Sequence, residues 1–234
     1  MFESIIENQK PLTERAADQI ISLILDQNLM RGEKLPNEFE LAGNLKVGRG
    51  TIREAVKLLV SRNILEIRRG KGTFVSQDPG IVSDPLGLAF FKDKYKLVLD
   101  LIQIRCILEP QIAAIAAQNI TDKEIGEMRR RCAEIERLVS NGENYTLQDA
   151  EFHTSIAQIT RNLVMPNLIP IIHTGIELFN VFPYEVEREE AIKLHRDIIE
   201  ALAAHDPRWA SEAMTKHLSY NIRNMEELES RFTD

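Results

Sequence analysis

The spacing of the apolar residues changes near residue 77, and this change constrains the fold more than any other feature of the chain. Before it, three stretches with apolar residues three or four positions apart predict helices, and two short β-prone runs predict strands. After it, only the helical spacing continues. Because 234 residues suffice for two domains, the sequence predicts a mainly α-helical protein. Its parts are a mixed domain at 1–77, a linker with a short helix at 78–93, and an all-helical domain at 94–234.

The charges are divided in the same way. The whole chain has a net charge of −7, but residues 1–77 carry 12 Lys and Arg against 10 Asp and Glu, whereas residues 78–234 carry 17 against 26. Between positions 45 and 72, eight basic residues stand against two acidic ones. Such a concentration suits the phosphate backbone of a nucleic acid, although a solvated charged face would contain the same residues.

The composition excludes several other classes of protein. With 44% hydrophobic and 28% charged residues, the chain is typical of folded proteins and not of disordered ones. The longest uncharged stretch of the second half, residues 162–176, has 15 residues and two prolines, so no membrane span is predicted. The first residues lack the order of a secretory signal, and two cysteines do not make a disulfide framework. We therefore expect a cytoplasmic protein with no membrane partner.

The first domain is predicted to be a helix-turn-helix followed by a hairpin. Helices are predicted at residues 11–28, at 37–44 and at 49–63. Asn37 and Glu40, three positions apart, have the form of a capping box at the start of the second of these helices. The β-prone runs at 64–68 and 72–75 are joined through residues 69–71, which predicts a hairpin with a cationic tip. The resulting order is that of a winged helix-turn-helix.

This order predicts which side chains meet double-stranded DNA. The second helix of a helix-turn-helix lies in the major groove, where an arginine near its first turn can donate two hydrogen bonds to guanine. A glycine at the wing tip permits a close approach of the backbone to the minor groove, where cations are attracted. The residues suited to these tasks are Arg49, Thr51 and Arg53 on the helix and Arg69, Gly70 and Lys71 on the wing.

Three motifs of this domain carry a family resemblance. They are residues 35–42 (LPNEFELA), 47–55 (VGRGTIREA) and 70–75 (GKGTFV). In this order they resemble the winged helix-turn-helix of the GntR family of bacterial transcription regulators, and the resemblance implies that the residues matching Arg49, Thr51, Arg53, Arg69 and Gly70 touch DNA. One position departs from the family pattern, because Phe39 stands where an arginine is common. This difference puts the operator sequence in doubt.

The second domain is predicted to be an antiparallel all-α bundle of six or seven helices. The periodic stretches are 94–119, 121–140, 144–160, 163–182, 186–204 and 207–231, with a short additional helix near 85–91. Prolines at 166 and 170 interrupt the fourth of the long stretches. The interior of such a bundle is a common place for ligand and metal sites.

Four residues of this domain are candidate metal ligands. Asp149 and His153 are four positions apart and share one helix face, and antiparallel packing of the last two helices could bring His195 and His217 to the same point. One carboxylate and three imidazoles suit a divalent ion such as zinc, nickel, manganese or iron. Taken singly, a helical histidine is more often a hydrogen-bonded structural residue than a metal ligand.

A second resemblance covers this domain. Residues 149–153 (DAEFH), 195–202 (HRDIIEAL) and 213–217 (AMTKH) are similar to the FCD effector-binding domain of the FadR subfamily. The resemblance implies that Asp149, His153, His195 and His217 are metal ligands, and that Arg105 points toward the carboxylate of an effector. A salt bridge from Arg105 to Glu109 is the alternative, and His173 could line the same cavity.

These observations predict a metal-containing, ligand-responsive regulator. It would bind a pseudo-palindromic operator as a homodimer and respond to a small carboxylate, either an organic or a sugar acid. One alternative retains the regulator but makes the metal structural, with an acyl-type effector. The other is a metal-dependent hydrolase, which is disfavoured because no His-Glu-x-x-His element is present and because an enzyme needs no winged head. We therefore expect no enzyme activity.

Overall fold

A computed structural model describes residues 10–82, 84–177 and 188–233 of the chain. The chain divides into two compact units, Met1–Pro85 and Leu86–Asp234. The described residues include no helix that is both long enough and apolar enough to cross a membrane.

The N-terminal unit is a winged helix-turn-helix, as predicted. It contains three helices, α1 (Leu12–Asp26), α2 (Glu38–Leu45) and α3 (Arg49–Ser61), followed by the strands β1 (Leu65–Arg68) and β2 (Gly72–Val75). The strands pair antiparallel, with Leu65 opposite Val75 and Arg68 opposite Gly72. The apolar faces of the helices and the inward residues of the hairpin form one core, in which Ile20, Ile52 and Leu59 are fully buried.

Local sequence determines where the second and third helices begin. The Asn37 side chain accepts from the backbone N–H groups of Phe39 and Glu40, and Glu40 accepts from the N–H of Asn37, which completes the predicted capping box. Lys46 adopts a left-handed conformation with a φ of 53° and ends α2. At the start of α3 stands Gly48, which makes no side-chain cap, so the first N–H groups of α3 are left for other acceptors.

The C-terminal unit is helical throughout its described part. A 3₁₀ turn at Leu88–Phe90 replaces the short helix predicted at 85–91. The long helices are α4 (Lys94–Asn119), α5 (Asp122–Asn141), α6 (Thr146–Ile159), α7 (Met165–Glu177), α8 (Arg188–Ala203) and α9 (Pro207–Thr233). The predicted helical residues 178–182 and 186–187 lie outside the described residues.

Most of these helix starts have identifiable caps. The Thr121 side chain and Glu124 form a capping box at the start of α5. Asp206 accepts from the N–H groups of Arg208 and Trp209 at the start of α9. In α7, Pro166 falls within the first turn, where its missing N–H has no cost, so the helix begins at Met165 and continues through Pro170.

One large core holds the bundle together, and Phe152 on α6 is fully buried within it. The first half of α4 and the second half of α9 share a smaller apolar cluster, in which Val98 and Ile102 contact Met225. Pro110 lies inside α4 and has no N–H to offer the preceding turn. The apolar residues of α4 are spread around the helix, and two of its charged residues, Arg105 and Glu109, are both buried in the interior.

Candidate metal centre and nucleic-acid interface

Three helices bring the four predicted metal ligands together. Asp149 and His153 lie on successive turns of α6, His195 lies on α8 and His217 lies on α9. One ligand atom from each of the four falls within 4.8 Å of all the others. The three histidines are at most 2% exposed. The structure therefore contains a buried group that could hold a metal ion.

Two separations within this group match those between ligands of one cation. Two ligands at zinc-like distances of 2.0–2.1 Å, subtending angles of 90° to 109°, are roughly 2.9 to 3.4 Å apart. His153 Nε2 and His217 Nε2 are 3.2 Å apart, and His195 Nε2 lies 2.9 Å from Asp149 Oδ1. The contact between His153 Nε2 and Asp149 Oδ1 is wider, at 3.7 Å. The donor set and its spacing fit a divalent ion.

The electrostatic environment also favours a cation. Burial acts to raise the pKa of Asp149, but the imidazoles of His153 and His195 hold it well below its usual range, so the carboxylate is charged. Burial, together with His195 and His153, keeps the pKa of His217 well below its ordinary value, so this imidazole is neutral. Burial lowers the pKa of His153, yet Glu109 and Asp149 raise it above its ordinary value. Among the described residues, two carboxylates therefore face this cluster, against one permanent cation, Arg105.

Glu109 is a member of this site that sequence reasoning had treated only as a salt-bridge partner. It lies on α4 and is 2% exposed. Its Oε2 is 2.5 Å from His153 Nδ1, and its Oε1 is 2.6 Å from Arg105 Nε and 3.3 Å from His173 Nε2. Burial acts to raise the pKa of Glu109, but Arg105 and His153 hold it well below its ordinary value. The available signal was the spacing of Arg105 and Glu109, two charges four positions apart in an otherwise apolar helix.

The two predicted effector residues lie beside the metal candidates. Arg105 is 3% exposed and forms the salt bridge to Glu109 that had been the alternative to an effector role. Its second terminal nitrogen, Nη2, is 3.9 Å from Asp149 Oδ2 and makes no hydrogen bond within the described residues. His173 is 4% exposed, and burial and Arg105 lower its pKa to about 4, although the contact with Glu109 acts to raise it. At neutral pH His173 is therefore uncharged.

On the N-terminal unit, the predicted DNA-reading residues occupy the first turns of α3. Arg49 is the first residue of the helix, and Arg49 and Arg53 are exposed. Thr51 is partly exposed. Arg53 is not free, because Glu38 on α2 accepts from its Nη2 at 3.0 Å and from its Nε at 3.3 Å. This ion pair joins the two helices of the helix-turn-helix at the surface predicted to face DNA.

The wing presents its predicted residues at the tip of the hairpin. Lys71 N–H donates to the Arg68 carbonyl at 2.8 Å, and Gly70 has a φ of 72°, a backbone conformation that glycine adopts without strain. Arg69, Gly70 and Lys71 are all exposed. Arg68 is occupied elsewhere, because its guanidinium pairs with Glu66 and lies 4.3 Å above the Phe74 ring. The exposed cations of this tip are thus those predicted from the sequence.

Phe39, which stands where the resembling family commonly has arginine, is 74% exposed on the first turn of α2. It makes no contribution to the core of its unit. The replacement therefore changes the chemistry of the surface and leaves the packing of the domain intact.

Family models match both units of the chain. The model of bacterial regulatory proteins of the gntR family matches residues 12–75, and the model of the FCD domain matches residues 100–220. The second match alone spans about half of the chain and contains every metal and effector candidate. The first contains every predicted DNA-contacting residue.

Individual proteins agree with these models. The Uxu operon transcriptional regulator of Escherichia coli (strain K12) is 31% identical over 230 residues, which cover 93% of this chain and 87% of that protein. The HTH-type transcriptional regulator YcbG of Bacillus subtilis (strain 168) is 29% identical over 91% of this chain and 89% of its own length. Among solved structures, a GntR protein of Streptococcus agalactiae has a TM-score of 0.81 and 40% identity, covering 90% of this chain and 99% of that one. The chain therefore belongs to the gntR family of bacterial regulatory proteins, as a transcription regulator with an FCD domain and not as an enzyme.

Proposed function

We propose that this regulator is a metal-containing member of the FadR subfamily that binds a pseudo-palindromic DNA operator as a homodimer and responds to a small organic or sugar acid. The observation that carries the proposal is the convergence of Asp149, His153, His195 and His217 in the interior of a domain that accompanies a DNA-binding head. The division of labour follows the predicted domains, with residues 1–77 binding DNA and residues 94–234 sensing the effector and dimerising. Acting on DNA, the protein would work in the cytoplasm.

The DNA-binding part of the proposal rests on three features of the first unit. Arg49 and Arg53 project from the first turns of α3, which is the helix that enters the major groove in this motif. The uncapped N–H groups at the start of α3 can donate to phosphate oxygens. Arg69 and Lys71 flank Gly70 at the wing tip and suit the narrow, electronegative minor groove.

The sensing part rests on the chemistry of the buried cluster. Its donors suit zinc, nickel, manganese or iron, and an ion with four protein ligands has open positions if it is five- or six-coordinate. A carboxylate effector can occupy such a position. Arg105 Nη2 is buried 3.9 Å from Asp149 with a donor to spare, which suits it to bind the same carboxylate. His173, neutral and buried one helix away, can donate to a hydroxyl or carboxyl oxygen of the effector.

The dimer is supported by an apolar stripe on α4. Ile104, Ile107 and Ile115 share one face of this helix and are 40%, 71% and 37% exposed. A second copy of the chain could cover them, and two-fold symmetry would match the two half-sites of an operator. If so, Ile107→Glu shifts the protein toward monomer in sedimentation equilibrium, whereas Leu25→Glu, at an exposed leucine of the first unit, leaves its mass unchanged.

Purified protein tests metal, effector and assembly together. Elemental analysis with native mass spectrometry should find about one divalent ion per chain, a bound small acid and a mass of two chains. His195→Ala should abolish the effect of the acid on operator binding and leave the far-UV circular dichroism unchanged. Loss of folded protein in His195→Ala, together with a wild-type response to acyl compounds and none to small organic or sugar acids, would instead support the structural metal and acyl-type effector. Protein that binds no divalent ion at any concentration would exclude the metal-dependent proposal.

A further inference from the structure

Glu109 contacts three functional side chains of the C-terminal unit. Its two carboxylate oxygens lie 2.5 Å from His153 Nδ1, 2.6 Å from Arg105 Nε and 3.3 Å from His173 Nε2. The carboxylate is 2% exposed, so water does not compete for these partners. An ionised group in such a place requires compensation on every side, and the three neighbours provide it.

A second metal position is the first alternative for this cluster. One atom each of Glu109, His153 and His173 also lies within 4.8 Å of the others, which is close enough to share an ion. Two features oppose this reading. Arg105 donates to the Glu109 oxygen that is nearest His173. The guanidinium cation therefore lies beside the oxygen that a metal ion would need, and the two positive charges would repel each other. In addition, His153 belongs to both groups, and its Nε2 already faces Asp149 and His217.

We infer that Glu109 is a positioning residue that orients His153 as a metal ligand, an inference that rests on the proposed metal site. A carboxylate oxygen 2.5 Å from Nδ1 favours the tautomer of His153 with its proton on Nδ1, which leaves the lone pair of Nε2 for the Asp149, His195 and His217 side of the ring. The carboxylate also makes the ring a stronger electron donor. Glu109 thereby fixes both the tautomer and the direction of His153 before any ion arrives.

The other two histidines have no equivalent support in the described part of the chain. The Nδ1 atoms of all three histidines are buried, but among the described residues only His153 Nδ1 has a carboxylate oxygen as its closest ionic contact, Glu109 Oε2 at 2.5 Å. His153 is therefore the ligand whose orientation is held most firmly by a charged neighbour. Arg105 completes the arrangement, because its pairing with Glu109 and its approach to Asp149 link the positioning carboxylate to a ligand carboxylate.

The test measures metal affinity directly. The apo-protein, prepared with a chelator, is titrated with Zn²⁺ against a competing chromophoric chelator for the wild type, Glu109→Gln and Glu124→Gln. The last is a matched control, because it also removes a carboxylate paired with an arginine, Arg161, but touches no ligand. Glu109→Gln should weaken Zn²⁺ binding roughly 10- to 100-fold, while Glu124→Gln leaves it unchanged. The wild type should bind one ion per chain, and two ions per chain would overturn the inference in favour of a second metal position.

A further variant separates positioning from simple charge balance. Glu109→Gln leaves Arg105 unpaired, and its repulsion alone could weaken metal binding. The double variant Arg105→Met/Glu109→Gln removes both charges, which also lowers the risk that a lone buried cation unfolds the domain. It should still bind Zn²⁺ roughly tenfold more weakly than the wild type. Recovery of wild-type affinity would overturn the positioning role.

Spectroscopy provides a readout that a purely structural role would not change. At saturating Co²⁺, the visible bands of Glu109→Gln should differ in position from those of the wild type, because His153 donates less strongly. Identical bands together with unchanged affinity would refute the role of Glu109 while leaving the metal site intact. Wild-type protein without any Co²⁺ bands or Zn²⁺ binding would overturn the inference together with the proposed metal function, a distinguishable result.

Discussion

The Nε2 atoms of His153 and His217 face each other at 3.2 Å in the interior of the bundle, although the two residues are 64 positions apart in the chain. Without an ion, these two imidazoles can share one proton at this distance, and His195 Nε2 can donate to Asp149 Oδ1 at 2.9 Å, so the four atoms pair two by two. A cation at the centre satisfies all four at once. The stability of the C-terminal unit should therefore depend on metal.

Metal removal should lower the thermal stability. A ligand that binds only the folded state at 100 times its Kd stabilises that state by about 2.7 kcal/mol, so chelation should lower the Tm by several degrees. Adding Zn²⁺ should restore the Tm of the wild type and not that of His217→Ala. The measurement is differential scanning calorimetry with and without chelator. A Tm that does not respond to either treatment would contradict a metal at this site.

Arg49→Ala should weaken operator binding by about 1–3 kcal/mol and relax the preference at one base pair. The reason is the position of Arg49 at the exposed start of α3, where its guanidinium can donate twice to a guanine. Fluorescence anisotropy against a panel of operators with single substitutions measures both effects. Lys123→Ala, which removes an exposed cation from the first turn of α5, is the control and should leave both unchanged.

Glu38→Gln should strengthen non-specific DNA binding several-fold and steepen its dependence on salt. Glu38 accepts two hydrogen bonds from Arg53, so the positive charge of Arg53 at the predicted DNA-binding surface is partly neutralised in the free protein. Its removal frees Arg53 for phosphate and eliminates one repulsive charge. The slope of log K against log salt measures the change. An unaltered slope would show that the Glu38–Arg53 pair opens without cost on DNA binding.

Glu124 should make the stability of the C-terminal unit depend on pH. Its carboxylate accepts from Arg161 at 2.7 and 2.8 Å and from the Thr121 side chain at 2.7 Å, and these bonds lower its pKa to about 2. A carboxyl group with a lowered folded-state pKa stabilises the fold above its unfolded pKa near 4.5, and the effect is lost as the pH falls toward 2. Glu124→Gln should therefore cost about 1–2 kcal/mol at pH 7, reduced by the exposure of Arg161, and progressively less below pH 4.5.

Urea unfolding of the wild type and the variant at several pH values tests this expectation. Arg161→Gln removes the other partner and should reproduce most of the loss at pH 7. A difference between wild type and Glu124→Gln that stays constant from pH 7 to pH 2.5 would contradict the role assigned to the ion pair.

The fold could be predicted from the sequence because its helix ends have local causes. Asn37 with Glu40 and Thr121 with Glu124 mark two helix starts by their three-residue spacing alone, and the structure forms both capping boxes. Asp206 before Pro207 marks a third. The short segment at 85–91 was predicted less well, since only a 3₁₀ turn forms there. No such local cap opens it, because Gly87 precedes the turn in a left-handed conformation.

The candidate site could be predicted only in part. Helical spacing puts Asp149 and His153 on one face, but the approach of His195 and His217 depends on how α8 and α9 pack. Glu109 was missed because an Arg and a Glu four positions apart are equally typical of a solvated helix surface. Burial decides between the two readings, and the burial of Arg105 and Glu109 follows from tertiary packing around α4. The Glu38–Arg53 pair also depends on tertiary packing, because its partners are 15 residues apart on different helices.

On the same turns of helix α4, charged side chains face the interior of the bundle and isoleucine side chains face the surface. Arg105 and Glu109 point into the bundle, while Ile104 and Ile107 are exposed on the opposite side. Immediately after Glu109, Pro110 removes a backbone hydrogen bond, and a proline is a common point of bending in a long helix. In a dimer whose interface contains those isoleucines, a ligand that binds Arg105 and shifts α4 in one subunit would also disturb the interface with the other subunit. The two effector sites of such a dimer would therefore not respond independently of each other.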